Sequence, residues 1–369
     1  MKLMKTTEAV GQVLCHDITQ IIPGVKKDAV FRKGHIITKE DIPVLLSVGK
    51  DTIYIWENDE TMMHENEAAE VLYRMSACGT NCNEADAEGH CEAAESGVFG
   101  DTASKMHPSP VKEGKIEVVA DCDGLLKVDS EKLKKVNSFG EMMIATRHGN
   151  TTVKKGDKLA GTRIIPLVIK KDKLEAASHI CDDGPILDIK PFVVRKAAII
   201  TTGNEVYHGR IQDAFTPVIE KKIAEFGAQM MFHEVFDDDD QKITDGCLRA
   251  IEAGAEIVFC TGGMSVDPDD KTPLAIKNTG ARIVSYGSPV LPGAMFLLSY
   301  YDAGDRLVPI CGLPGCAMYN KRTIFDIVLP RLMACDMILA DELARLGEGG
   351  LCLNCDVCTF PNCGFGKGF

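Results

Sequence analysis

Thr261-Gly262-Gly263-Met264-Ser265-Val266-Asp267-Pro268-Asp269-Asp270 is the stretch around which the chain is organised. Before it, Ile257-Val258-Phe259-Cys260 is a short apolar run rich in β-branched residues, which predicts a buried strand. After it, Lys271-Thr272-Pro273-Leu274-Ala275-Ile276 predicts a helix, with proline early, where its missing N–H costs little. Strand, glycine pair and helix together point free backbone N–H groups toward an anion. Gly262 and Gly263 permit positive φ and close approach of a ligand. Thr261 and Ser265 supply hydroxyls, and Asp267, Asp269 and Asp270 supply carboxylates, as ligand donors or metal donors. Taken alone, the stretch is equally a strand-to-helix turn with a solvated acidic rim.

Outward from this loop the rhythm is β-α-β-α, the pattern of a mostly parallel sheet covered on both faces. Ala197-Ala198-Ile199-Ile200-Thr201 is the first strand and ends in Thr202-Gly203-Asn204-Glu205. A helix from Thr216 carries Val218, Ile219, Ile223 and Phe226 on one stripe and stops at Gly227. Gln229 to Val235 is a second strand, followed by the acidic run Asp237 to Asp240. A helix through Ile243, Leu248 and Ile251 returns the chain to Ile257. Leu307-Val308-Pro309-Ile310 then leads into Cys311-Gly312-Leu313-Pro314-Gly315-Cys316, with a helix expected from about Ala317. Three polar, glycine-bearing loops thus lie at strand C-terminal ends, the edge where doubly wound sheets bind ligands.

At 369 residues the chain has room for two or three cores. A hydrophobic content of 45% with 26% charged residues is that of a soluble globular protein. The net charge of -13 argues against a general nucleic-acid surface. No run approaches the roughly 18 apolar residues of a membrane helix. The N-terminal MKLMKTTEAV lacks a signal peptide's apolar core, which predicts a cytoplasmic protein.

Five segments are expected: 1–57, 58–110, 111–195, 196–335 and 336–369. The first is a small α+β segment, with strands at Val13–Ile18 and Asp51–Trp56 and a helix after Thr38-Lys39-Glu40-Asp41. The second carries a helix near Glu65–Leu72 and a loop-like insertion. There Cys78, Cys82, His90 and Cys91 could reach zinc only after rearrangement, and their spacing matches no standard site. The third reads as a β-rich, barrel-like or sandwich domain, with strands at Lys115–Ala120 and Arg163–Ile169.

The last segment, 336–369, is a helix and a Cys-rich tail. The protein has 15 cysteines, many for a reducing compartment. Eight are scattered, mostly in apolar runs, and read as buried inert thiols. Cys352, Cys355, Cys358 and Cys363 form a C-x2-C-x2-C-x4-C run. It is close to a ferredoxin run, so an iron–sulfur cluster is the first expectation and tetrahedral zinc the second.

TTGNE, the DDDD run, TGGMSVDPDD and GLPGCAMY occur in the order and spacing of the molybdopterin-binding domain of molybdenum-cofactor biosynthesis. The chain resembles the molybdopterin molybdotransferases, whose domain is similar to gephyrin's C-terminal half. The match covers about Ala197 to Pro330. The resemblance implies molybdopterin, or adenylyl-molybdopterin, lying across Thr202, Gly203, Asn204, Thr261, Gly262, Gly263, Ser265, Gly312, Pro314 and Gly315. It places functional carboxylates at Glu205, Asp239, Asp240 and Asp270. Asp239, Asp240 and Asp270 would hold Mg²⁺, with Glu205, Asp239 and Asp270 as catalytic candidates. It further implies molybdate as co-substrate, molybdo-enzyme apoproteins as recipients, a homodimer, and no nucleic acid or membrane partner. Two departures stand out. Leu291-Pro292-Gly293-Ala294-Met295 lies where the insertion enzymes carry a lysine-rich stretch, and an alanine cannot replace a cation facing a dianion. Cys316 follows GLPG where asparagine is usual. A non-catalytic carrier or sensor, or an adenylyltransferase, is therefore the alternative.

Overall fold

A computed structural model describes residues 2–22, 26–55, 59–79, 105–265, 267 and 270–368. Two compact units are present. One comprises Met1–Asp121, Val128–Arg147 and Lys155–Asp188; the other comprises Cys122–Lys127, His148–Lys154 and Ile189–Phe369.

The second unit is a three-layer α/β domain. Its elements are β1 (Lys196–Thr202), α1 (Asn204–Tyr207), α2 (Phe215–Ala224), β2 (Gln229–Phe236), α3 (Asp240–Glu252), β3 (Ile257–Thr261) and α4 (Thr272–Asn278). They are followed by β4 (Arg282–Tyr286), β5 (Leu297–Asp302), β6 (Leu307–Leu313), α5 (Ile324–Met333) and α6 (Ala340–Arg345). The strand order is β2-β1-β3-β6-β5-β4. The first four strands are mutually parallel, while β5 runs antiparallel to both neighbours. Because β2 lies on one side of β1 and β3 on the other, the strand order reverses at β1, opening a crevice at the C-terminal ends of β1 and β3.

Strand side chains alternate between the two faces, which explains the continuous apolar runs. Ile199, Phe259, Cys311 and Leu313 pack with α2, α5 and α6, through Ile219, Ile223, Phe325 and Leu343 among others. Ile200, Val258, Cys260 and Ile310 pack with α3 and α4, through Ile243, Cys247, Ala250 and Ile276. The helix expected at Ala317 is displaced. Gly315–Ala317 makes one 3-10 turn, and α5 begins only at Ile324. A capping box fixes that start: the Thr323 hydroxyl accepts from the Phe325 N–H (3.2 Å) and the Asp326 carboxylate from the Thr323 N–H (2.8 Å).

In the first unit, strands Met106–Pro108, Lys115–Ala120, Lys158–Ile164 and Met142–Thr146 form an antiparallel sheet in that order. Its two outer strands do not pair with each other, so this sheet is open and not closed as a barrel, one of the two forms expected (the other being a sandwich). The helix Glu65–Ala77 packs against it and buries Leu72, Tyr73 and Met75. The expected strand at 163–169 is broken: Lys158–Ile164 ends before Pro166, and Val168–Lys170 pairs elsewhere. Proline's missing donor accounts for the interruption. Near the N-terminus Lys2–Lys5 pairs with Thr52–Ile55, and Ile18–Ile22 with Lys26–Phe31. Val13 and Leu14 make only isolated bridges rather than a strand. Leu14, Ile18, Ile37, Leu45 and Ile53 form a local core. Trp56, Cys82, His90 and Cys91 lie outside the described residues.

Candidate functional site

Beneath the glycine loop lies a set of buried threonine hydroxyls. Thr202 ends β1 and Thr261 ends β3, both buried. The Thr202 hydroxyl reaches the Thr261 carbonyl (3.1 Å) and lies 3.0 Å from the Thr272 hydroxyl. The Thr272 hydroxyl donates to the Gly262 carbonyl (2.9 Å). Each hydroxyl has one proton, so when both donate to carbonyls the contact between them has none left to share. The loop is thereby tied to β1 and to the first turn of α4. Thr261 Oγ1 is different. It is fully buried and finds no hydrogen-bond partner among the described residues. An unmade hydrogen bond on a buried hydroxyl costs about 1–3 kcal/mol.

Gly262 (φ 82°) and Gly263 (φ 53°) adopt left-handed backbone. A Cβ at Gly262 would overlap the Thr202 carbonyl oxygen, and one at Gly263 would stand 2.8 Å from Thr272 Oγ1. Here the glycines are required by close backbone packing. Gly312 serves a similar end: a Cβ there would meet the Met264 methyl at 2.5 Å, so Met264 rests on its bare backbone. Gly315 is the contrast, since a Cβ there would meet open space. Pro314 accepts from Ala317 N–H (2.9 Å) and shapes that turn. Ser265 is exposed, Asp270 is half-buried, and Asp270 N–H donates to the Asp267 carbonyl (3.0 Å). Burial, with the Asp270 charge behind it, pushes the Tyr286 phenol up. Asp269 lies outside the described residues.

The acidic run is engaged in local structure. Asp237 pairs with Lys242 (2.8 Å), and Asp238 accepts from the Asn204 N–H (3.2 Å). Asp239 is the N-cap of α3, accepting from Gln241 N–H (3.0 Å) and Lys242 N–H (3.1 Å). Asp240 accepts from the Asn278 amide (3.1 Å). The Asp238 bond joins the acidic run to the Gly203-Asn204 turn, beside which Glu205 is exposed. Among the described residues no three His, Cys, Asp or Glu side chains gather at metal-ligating distance. Asp239, Asp240 and Asp270 are not gathered at such a distance. Nor do the tail cysteines converge: Cys352 and Cys363 pack against the core, while Cys355 and Cys358 are exposed.

Sequence reasoning missed one polar cluster. Asp213 accepts from the hydroxyls of Thr201 (2.9 Å) and Thr216 (2.6 Å) and from the N–H groups of Phe215 (2.8 Å) and Thr216 (3.2 Å). His233 Nε2 lies 3.1 Å from Thr201 Oγ1. Burial alone would raise the Asp213 carboxyl, but these hydrogen bonds outweigh it and hold the group below its ordinary value. The only local signal was Asp213-x-x-Thr216 ahead of a helix. Thr201 and His233 join only through the pairing of β1 with β2.

A reversal of strand order, a close-packed glycine loop and one unpaired buried hydroxyl thus meet at the C-terminal ends of β1 and β3 of an α/β domain. Residues 198–334 match the family described as "Probable molybdopterin binding domain", and residues 3–57 match a domain of unknown function. A molybdopterin molybdenumtransferase of Staphylococcus epidermidis is 27% identical over 146 residues, covering 36% of this chain and 34% of that one. A molybdopterin adenylyltransferase of Pyrococcus furiosus is 25% identical over 131 residues, covering 32% and 77%. A Bacillus velezensis protein named for competence-damage induction is 29% identical over 90 residues, so the chain spans about a fifth (21%) of that relative's length. Among solved structures, the tungsten cofactor synthesizing protein MoaB of Pyrococcus furiosus has a TM-score of 0.30 at 18% identity, covering 38% of this chain and 88% of that one. Residues 198–334 of the second unit are thus similar to the molybdopterin-binding domain family, and the relatives named above share this part of the chain.

Proposed function

We propose that this domain binds molybdopterin or adenylyl-molybdopterin in the crevice at the ends of β1, β3 and β6, and that it serves the step at which molybdate is inserted. The observation that carries this reading is the buried Thr261 hydroxyl, unpaired beside a glycine pair that no side chain can replace. A phosphate oxygen is the acceptor such a hydroxyl needs, and backbone N–H groups around Gly262, Gly263 and Gly315 complete the cradle. The open space at Gly315 leaves room for the ligand on the β6 side. Asp270, half-buried, is the carboxylate best placed to act on a bound ligand. Insertion would couple to hydrolysis of the phosphoanhydride of adenylyl-molybdopterin, with water as nucleophile and the nucleoside monophosphate leaving. No step is assigned to Mg²⁺, because the candidate carboxylates do not converge among the described residues.

Carriage without turnover is the second reading. It is favoured by Ala294, which stands where an oxyanion-binding lysine would be needed, and by Asp239, which is occupied as a helix cap. Incubation with adenylyl-molybdopterin and molybdate separates the two. Release of nucleotide with pterin-bound molybdenum supports insertion; tight binding with no release supports carriage; binding of neither pterin form removes both.

The tail is a separate proposal. Its four thiols suit iron–sulfur or zinc only if residues 352–363 rearrange, since Cys352 and Cys363 are held against the core. Metal analysis of anaerobically purified protein, beside a variant lacking the four thiols, tests this. Equal metal content in the two would sink it.

A further inference from the structure

The segment that follows α6 is anchored to the second unit at both ends. Leu291 N–H donates to the Gly350 carbonyl (2.8 Å), and Cys352 N–H donates to the Leu291 carbonyl (2.8 Å). Cys352, Phe360, Cys363 and Phe365 pack against the core beside α2 and α5. Between these anchors every residue from Leu353 to Thr359 is exposed.

Two thiols lie on that exposed stretch. Among the described cysteines only Cys335, Cys355 and Cys358 are exposed, and the cysteine nearest Cys335 in sequence is the half-buried Cys352. Cys355 and Cys358 are therefore the one exposed pair close together in the sequence. The chain bends at Asp356 and Val357, between them. A reversal over four residues brings its ends within about 7 Å, and a disulfide takes Cα atoms about 4.4–6.8 Å apart.

Neighbouring side chains hold the bend from below. The Lys321 ammonium donates to the carbonyls of Cys355 (3.4 Å) and Asp356 (3.1 Å). The Arg322 guanidinium donates to Asp326 (2.9 Å), lies 5.1 Å from the centre of the Phe360 ring and hydrogen-bonds the Cys358 side chain. The backbone on both sides of the pair is thus fixed while the two sulfurs face solvent. Cys352 and Cys363 stay with the core, and no three metal-ligating side chains gather among the described residues.

We propose that Cys355 and Cys358 form a thiol–disulfide exchange site, at which the two thiols reduce an organic disulfide and close into a disulfide across the bend. One cysteine gives its proton to water, and its sulfur attacks a sulfur of the organic disulfide. The S–S bond of the oxidant breaks, and half of it leaves and takes up a proton. The second cysteine, deprotonated likewise, attacks the first and expels the other half. Two cysteine thiols become one disulfide, and the oxidant becomes two thiols. The site does not depend on the pterin reading. Iron or zinc held by all four cysteines of the tail is the competing outcome.

The full chain, reduced and purified without oxygen, is tested with glutathione disulfide. After alkylation of the remaining thiols, digestion and mass spectrometry locate every new bond. The expected product is a single peptide carrying a Cys355–Cys358 disulfide, which dithiothreitol reopens, with no glutathione adduct accumulating. Cys355→Ser and Cys358→Ser change exposed side chains and should fold as the parent does, checked by circular dichroism. Each should instead stop at a stable glutathione adduct on the thiol that remains. Stable adducts on both cysteines of the parent would overturn the proposal, as would pairing of either with Cys335, Cys352 or Cys363. Iron or zinc bound one per chain, lost in both serine variants and withholding these thiols from glutathione disulfide, would overturn it in favour of a metal site.

Discussion

The Thr202 hydroxyl spans 3.1 Å to the carbonyl of Thr261, bridging the ends of two parallel strands at the point where the sheet reverses its order. That bridge holds the Gly262-Gly263 turn so close to β1 that a methyl group on Gly262 would overlap the Thr202 carbonyl. Gly262→Ala should therefore lower unfolding stability by about 1–3 kcal/mol, the range for overpacking, with left-handed strain included. Urea denaturation followed by circular dichroism checks this. Unchanged stability would mean that the loop is looser than described.

Thr261→Val should behave in the opposite way. The hydroxyl it removes is buried and unpaired, so the isosteric change should leave stability equal or raise it by up to about 1 kcal/mol. Pterin affinity should nonetheless fall, by about tenfold, the worth of one hydrogen bond to a charged group. Stability and affinity falling together would show that the hydroxyl serves the fold.

Asp239 holds two candidate roles that substitution can part. Asp239→Ala should cost about 1 kcal/mol by uncapping α3, while Asp239→Asn keeps the cap and should stay within about 0.5 kcal/mol of the parent. If the carboxylate also acts in turnover, Asp239→Asn lowers the rate at unchanged stability. Equal rates in parent and Asn variant would confine Asp239 to capping.

How much of this was legible in the sequence depends on the range of the interactions. Ile199-Ile200 and Ile257–Cys260 announced buried parallel strands because both faces of the sheet are covered, and each strand shows this locally. The start of α5 depends on Thr323 and Asp326, a local box overlooked in favour of the glycine-rich GLPGC segment. The role of Asp239 was missed because an acidic run reads alike as cap, solvated loop or metal ligand. The Asp213–Thr201–His233 cluster and the tie of Met264 to Gly312 come from residues far apart in the chain, which only the sheet brings together.

Asp336 gives a pH signature. It is buried and bonded by Lys127 (2.8 Å), Lys190 (2.6 Å) and Arg331 (2.6 Å). Burial alone would raise its carboxyl, but the lysine hydrogen bonds and the Arg331 charge pull it down to about 2. A carboxyl depressed in the folded state adds stability that is present above its unfolded value near 3.8 and is lost as pH falls toward 2. Asp336→Asn should cost about 1–3 kcal/mol at pH 7, where it removes the charged partner of Lys127, Lys190 and the buried Arg331, and should flatten the fall in stability between about pH 4 and 2. Denaturation midpoints across that interval check it; parallel curves for the two proteins would contradict it.

The most direct measurement is the pterin content of anaerobically purified protein, oxidised to its fluorescent derivatives and quantified against chain concentration, before and after incubation with molybdopterin. Occupancy of the crevice predicts up to one pterin per chain, reduced in Thr261→Val. No pterin in either sample, with parent and Thr261→Val alike, would contradict pterin binding by this chain.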